Sequence, residues 1–380
     1  MLPSRKTSVR ARYALSGIAL LVLAGCGGGR DDNTASSTST AAGGVTLQVV
    51  SFGDSLSDVG TYAGTGSAAF VRGRYTTNPG EVWTQKVAEY YGGTLTAAYL
   101  GGYGQPLVAS TGLGYAQGGS RVTDPIGESH ATTSAADYSA ATTVPIATQV
   151  QNYLSVHGTF NANQLVLING GANDIFIQAT ALLQAVTADV AAGMTLQAAI
   201  AQETQTTLVP VATALAAQVA TVLASGATHV VVSSVPDIGQ TPLALALGTQ
   251  GQAVVSAVTQ AYNAALYAAL QASGDLSKVI YVDAYAWQDN LSANYVANGF
   301  SVSNTGTACN LTAMTAVAVA AGLSDPTSYA SSLYCTAAYL TVAGADQSYV
   351  FADDVHPTTH THALFAAYVE QQIAASGLGT

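Results

Sequence analysis

Four short apolar runs punctuate the chain: 47–52 (LQVVSF), 164–169 (QLVLIN), 229–234 (HVVVSS) and 278–283 (KVIYVD). Each is too short for a helix, and the valine- and isoleucine-rich character of the set reads as buried parallel strands. Longer stretches between them carry apolar residues at helical spacing. A helix is expected over 81–91, with Trp83 on its core face, and another over 252–272. Residues 175–226 should form two helices, broken near Gly193 and with a kink or late start at Pro210. Residues 94–145 show no sustained period and should be loop around one short strand. Residues 300–344 interrupt the rhythm, and Pro357 should open a C-terminal helix. Strand alternating with helix gives an α/β class: a three-layer α/β/α sandwich around a central parallel sheet, within one domain spanning 46–380.

The N-terminus departs from this pattern. Residues 1–12 are basic and 14–25 apolar, the layout of an export signal, and the apolar run is too short to span a bilayer. It ends in Leu23-Ala24-Gly25-Cys26, which resembles a bacterial lipobox, so residues 1–26 are expected to be a lipoprotein signal with Cys26 lipidated. A plain secretory signal with an incidental cysteine is the alternative. Residues 27–45 are nearly devoid of large apolar side chains and read as a flexible tether. The expected location is the bacterial cell envelope, as an outer-membrane lipoprotein or a secreted protein.

Charge narrows the partners. The whole chain has 10 basic and 21 acidic residues. Four of the basic ones leave with the signal, so the mature chain carries a net charge of roughly −15. Such a surface repels nucleic acid and gives no polybasic attraction to anionic lipid. Using Cys26 for lipid leaves Cys309 and Cys335, an even pair in an oxidising compartment, and no CxxC motif competes with a disulfide between them.

The candidate chemistry begins where the first strand stops. Gly53-Asp54-Ser55-Leu56 follows it, which puts Ser55 beyond a strand's carboxyl end, the edge where open α/β sheets bind ligands. Alone, Gly-Asp-Ser is equally an ordinary turn with a capping serine. Three further stretches change that weighting: GYAQGGSRV around Gly119, LVLINGGANDIF around Asn173, and FADDVHPTTH around His356. In this order and spacing the four resemble the blocks of the GDSL esterases and lipases, also called SGNH hydrolases. One departure is Gly114, where that family usually has asparagine. The cysteine-containing insertion before the last block also resembles the family's phospholipase and acyltransferase branch.

The resemblance implies a serine hydrolase acting on carboxylic esters. Ser55 would be the nucleophile, His356 the base and Asp353 its orienting partner, with Asp354 the alternative orienter. The N–H groups of Ser55 and Gly119 and the Asn173 amide would hold the oxyanion, although Asn173 or Asp174 could equally cap the helix that follows, Asp174 the better candidate. His356 and His360 are four apart, but Pro357 prevents a continuous helix through them and no HExxH glutamate is present, so no metal is expected and no cofactor is needed. His360 and His362 read as helix surface or packing residues, and His130, His157 and His229 have no partner motif. Competing readings are acyl transfer by the same residues and a non-catalytic surface lipoprotein that binds carbohydrate or a protein.

Overall fold

The computed structural model describes residues 41–130, 134 and 137–380. The expected signal with its Cys26, and all but the end of the tether, lie outside the described residues. The domain begins before residue 46: Gly43 N–H donates to the Tyr90 carbonyl at 2.9 Å, and Thr380 N–H donates back to the Gly43 carbonyl at 3.0 Å. The first described residues and the last residue therefore meet, just ahead of the first strand.

That strand, β1, runs Gln48–Phe52 and leads into a hairpin of β2 (Gly64–Ser67) and β3 (Phe70–Arg72), then helix α1 (Trp83–Tyr90). A second hairpin, β4 (Tyr99–Gly102) with β5 (Gln105–Ala109), precedes α2 (Ile146–His157) and β6 (Gln164–Ile168). Next come α3 (Ala172–Ala191), α4 (Leu196–Thr207), α5 (Val209–Ala224), β7 (His229–Ser233), the single turn α6 (Pro242–Leu245) and the long α7 (Gly248–Ala272). The chain closes with β8 (Ile280–Val282), α8 (Ala284–Ala293), α9 (Leu311–Ala320), α10 (Ala345–Ser348) and α11 (Thr359–Ala375).

All four apolar runs join one parallel sheet in the order β1-β6-β7-β8. Successive residues point to opposite faces of it. Val50, Phe52, Val166, Ile168, Val230 and Val232 pack with α2 to α5 and α7. Val49, Leu165, Leu167 and Val231 pack with α1 and α11. Helices thus cover both faces, the three-layer sandwich, and the continuous apolar character of the strands follows from burial on both sides. The short strand expected within 94–145 is reduced to a bridge: Ser51 N–H bonds the Leu113 carbonyl and Tyr115 N–H bonds Ser51, placing Gly114 beside β1. A Cβ at Gly114 would come within 2.5 Å of the Val59 side chain, so this packing has no room for the asparagine the family usually carries.

Residues 175–226 form three helices rather than two. The break at Gly193 is present, but at Pro210 the chain does more than kink: α4 ends, α5 starts, and their axes differ by 53°. Proline there has no N–H to continue the α4 ladder. The C-terminal helix starts two residues after Pro357, capped by Thr358, whose hydroxyl accepts from Thr361 N–H. The insertion over 300–344 folds around a small core that it shares with Tyr62, Phe70 and Tyr75, where Cys309 and Cys335 are disulfide-bonded beside Met314 and Leu333.

Candidate active site

The turn after β1 is built by side chains that arrive from other strands. Asp54 Oδ1 accepts from Leu56 N–H at 3.1 Å and from the Asn169 amide at 2.8 Å, joining the end of β1 to the end of β6. Asn169 Oδ1 in turn accepts from Ser57 Oγ, which receives the Trp83 indole N–H at 3.1 Å. Trp83 is thus a core residue, as expected, that also braces the turn. Gly53 has a specific reason to be glycine, because a Cβ there would lie 2.2 Å from Asn169 Oδ1. Burial pushes the Asp54 carboxyl up, against the Leu56 N–H and the Asn169 amide, which favour its charge.

Ser55, only 8 % exposed, sits on this frame. His356 Nε2 lies 2.9 Å from its Oγ, although the two residues are 301 positions apart. On the other side of the ring, Nδ1 is 2.9 Å from both Asp353 oxygens. The His356 loop is closed by a 2.7 Å bond from Ala352 N–H to the His356 carbonyl. Asp353 is buried, and it also accepts from the N–H groups of Val355 (3.0 Å), His356 (2.7 Å) and Ser332 (2.6 Å). Burial alone would push this carboxyl up, but the imidazole and these N–H donors hold it well below the usual carboxylate range. It therefore stays an anion that accepts from Nδ1–H, leaving the Nε2 lone pair facing the serine.

Asp354, the alternative orienter, has no bond to His356; its side chain is exposed and its carbonyl accepts from Leu243 N–H. His362 proves to be a packing residue: it is buried, and its Nδ1 accepts from Trp83 N–H at 3.3 Å. Burial, with His356 nearby, lowers its pKa to about 3. His360 lies at the partly exposed start of α11, near Gln347 and edge-on to Phe300. Residues over 300–344 enter the site only through Ser332, which belongs to the loop closed by the disulfide.

The second and third blocks meet at the same edge. Asp58 Oδ2 accepts from Gly118 N–H at 2.8 Å, fixing the glycine pair to the β1 turn. Gly119 has φ +82°, and a Cβ there would be 2.1 Å from the Glu128 carbonyl, so only glycine fits. Asn173 Nδ2 donates to the carbonyl of the next residue, Ser120, at 2.8 Å. Asp174 does not cap α3: Gly171 occupies that position, and Asp174 instead binds Arg121 Nε and Val122 N–H, each at 3.0 Å. Among the described residues, the N–H groups of Ser55 and Gly119 and the second Asn173 amide hydrogen have no protein acceptor. A small cavity of about 30 Å³ lies behind the β1 turn, lined by Asp54, Leu56, Trp83, Asn169, Val235, Pro236, Trp287, His362 and Phe365 among others, and neither Ser55 nor His356 borders it. Among the described residues no cluster of three His, Cys, Asp or Glu could hold a metal ion.

Sequence reasoning missed several supports. Tyr75 sets its ring 4.9 Å from that of His356, tilted by 39°, and is itself buried. Asp58, Asn169 and Ser332 each act on a block far from them in sequence. Only Asn169 left a readable signal, a lone amide ending an otherwise apolar strand. The family model described as GDSL-like Lipase/Acylhydrolase matches residues 49–369. No individual curated protein matches the chain.

Proposed function

Because this chain belongs to the GDSL-like lipase and acylhydrolase family, we propose that it hydrolyses carboxylic esters with Ser55 as nucleophile, His356 as general base and acid, and Asp353 as the group that orients the imidazole. The observation that carries the reading is the Ser55 Oγ to His356 Nε2 contact of 2.9 Å, with Asp353 on the opposite ring nitrogen. In the first half-reaction, Nε2 takes the hydroxyl proton as Oγ attacks the ester carbonyl. The negative charge that develops on the carbonyl oxygen meets N–H donors from Ser55, Gly119 and Asn173, which need not break bonds to the protein to reach it. His356, now an imidazolium beside the Asp353 anion, protonates the departing alcohol. Water then repeats the sequence on the acyl-enzyme and regenerates Ser55.

We further propose that the protein is exported and held at the cell envelope by a lipid on Cys26, on the strength of its N-terminal sequence. The test of the chemistry is hydrolysis of p-nitrophenyl esters graded by chain length, with phospholipid and acetylated sugar alongside and an added alcohol to score acyl transfer. Ser55→Ala and His356→Ala should each remove nearly all turnover, and the double variant should be no worse than either, because the pair acts as one unit. Turnover near the wild-type level in folded Ser55→Ala would refute the assignment.

A further inference from the structure

One surface beside the site has no part in this mechanism. Leu243, Leu245 and Leu247, at the α6 turn and just after it, are 43, 37 and 48 % exposed. Single exposed leucines are ordinary, but three within five residues are not. Their place in the fold is specific. The segment follows Val235 and Pro236 of the cavity wall, and Leu243 N–H donates to the Asp354 carbonyl at 3.0 Å, one residue from Asp353.

Resting on the esterase reading above, we propose that Leu243, Leu245 and Leu247 form an apolar collar beside the His356 loop that seats this edge of the site on the surface of an aggregated, uncharged ester. Residues 238–274 contain no charged side chain, and the charges that flank them, Asp237, Asp275 and the bonded neighbour Asp354, are all acidic, as is the chain as a whole. An anionic lipid surface is therefore repelled, while a neutral ester droplet or micelle meets only apolar area. Ala244, between two of the leucines, is buried, which holds the turn to the domain while its neighbours face outward. The collar thus brings the reacting atoms to the surface where a poorly soluble ester is concentrated.

The triple variant Leu243→Ser, Leu245→Ser, Leu247→Ser tests this, since all three side chains are exposed and their loss should spare the fold. On soluble p-nitrophenyl acetate its kcat/KM should stay within about twofold of wild type, and on emulsified tributyrin its rate should fall about tenfold or more, as docking scales with apolar area. Equal losses on both substrates, or no loss on the emulsion, would overturn the collar. So would sedimentation showing a wild-type dimer that the variant converts to monomer, since the patch would then be an interface between copies. If wild type cleaves neither ester, the esterase reading fails, yet flotation with tributyrin droplets still decides the collar: Ser55→Ala protein should float with the droplets and the same protein carrying the triple change should not.

Discussion

Replacing Asn173 with alanine separates two jobs that the structure gives one side chain. One amide hydrogen is spent on the Ser120 carbonyl at 2.8 Å, and the other is left for the oxyanion. Losing the second should cost about 10² to 10³ in kcat, or ~2.7 to 4 kcal/mol of transition-state stabilisation, the scale of one oxyanion donor. KM should change little, because the donor acts on charge that the ground-state ester does not carry. Losing the first leaves a buried carbonyl acceptor unpaired, which should lower stability by about 1 to 3 kcal/mol. Steady-state kinetics on a short p-nitrophenyl ester, at a temperature where urea titration shows the variant fully folded, keep the two effects apart. If folded Asn173→Ala retains wild-type kcat, Asn173 is a strut for the Gly119 turn and nothing more, and the oxyanion assignment fails for it. A large rise in KM at constant kcat would refute the reasoning in another way, by making Asn173 a ground-state contact.

Asp353→Asn should lower kcat by several orders of magnitude, up to about 10⁴, because the amide can present a hydrogen to Nδ1 and stabilise the wrong tautomer; a loss under tenfold in rapid-mix assays would show that Asp353 is not the orienter. Cys309→Ala with Cys335→Ala should lower unfolding free energy by about 3 to 4 kcal/mol on the chain-entropy account of a loop with sequence separation 26, read from denaturant midpoints. Unchanged midpoints would count against it. Because His362 is held neutral down to about pH 3 in the fold but titrates near 6.5 when unfolded, its contribution is complete above pH 6.5 and is lost as pH falls. Within that window it should add a slope of about 1.4 kcal/mol per pH unit, which His362→Gln should remove in urea titrations between pH 4 and 7. Cys26→Ala should move the protein out of membrane fractions, and a mature N-terminus that mass spectrometry shows to be free of lipid would end the lipoprotein reading.

The central sheet was legible because its strands are buried on both faces and so announce themselves as apolar runs. The hairpins β2–β3 and β4–β5 were not, since strands of three to five residues rich in glycine carry no period to read. The α4–α5 boundary was half legible: Pro210 marked a disturbance, but whether a proline kinks or breaks a helix depends on what each half packs against. At the site, Ser55 and Asn173 sit at the ends of elements and Gly119 and His356 in turns between them, where a motif marks each. The groups that aim them are set by long-range pairing. Ser332 reaches Asp353 through a backbone N–H that any residue but proline would supply, so no pattern in the chain could have singled it out. Choosing Asp353 over Asp354 needed the same information, because two adjacent carboxylates differ only in the direction that the loop turns them.

The meeting of Gly43 with Thr380 gives the molecule a handle and a working end. Both residues lie before the amino end of β1, and that strand then runs its five residues, roughly 17 Å, toward Ser55. Helix α11 makes the return journey, leaving His356 and finishing beside Gly43. Anything joined ahead of Ala41 or after Thr380 therefore attaches at the pole opposite the reactive serine. Immobilising or fusing the protein at Thr380 thus leaves the face that carries Ser55 clear of the attachment point.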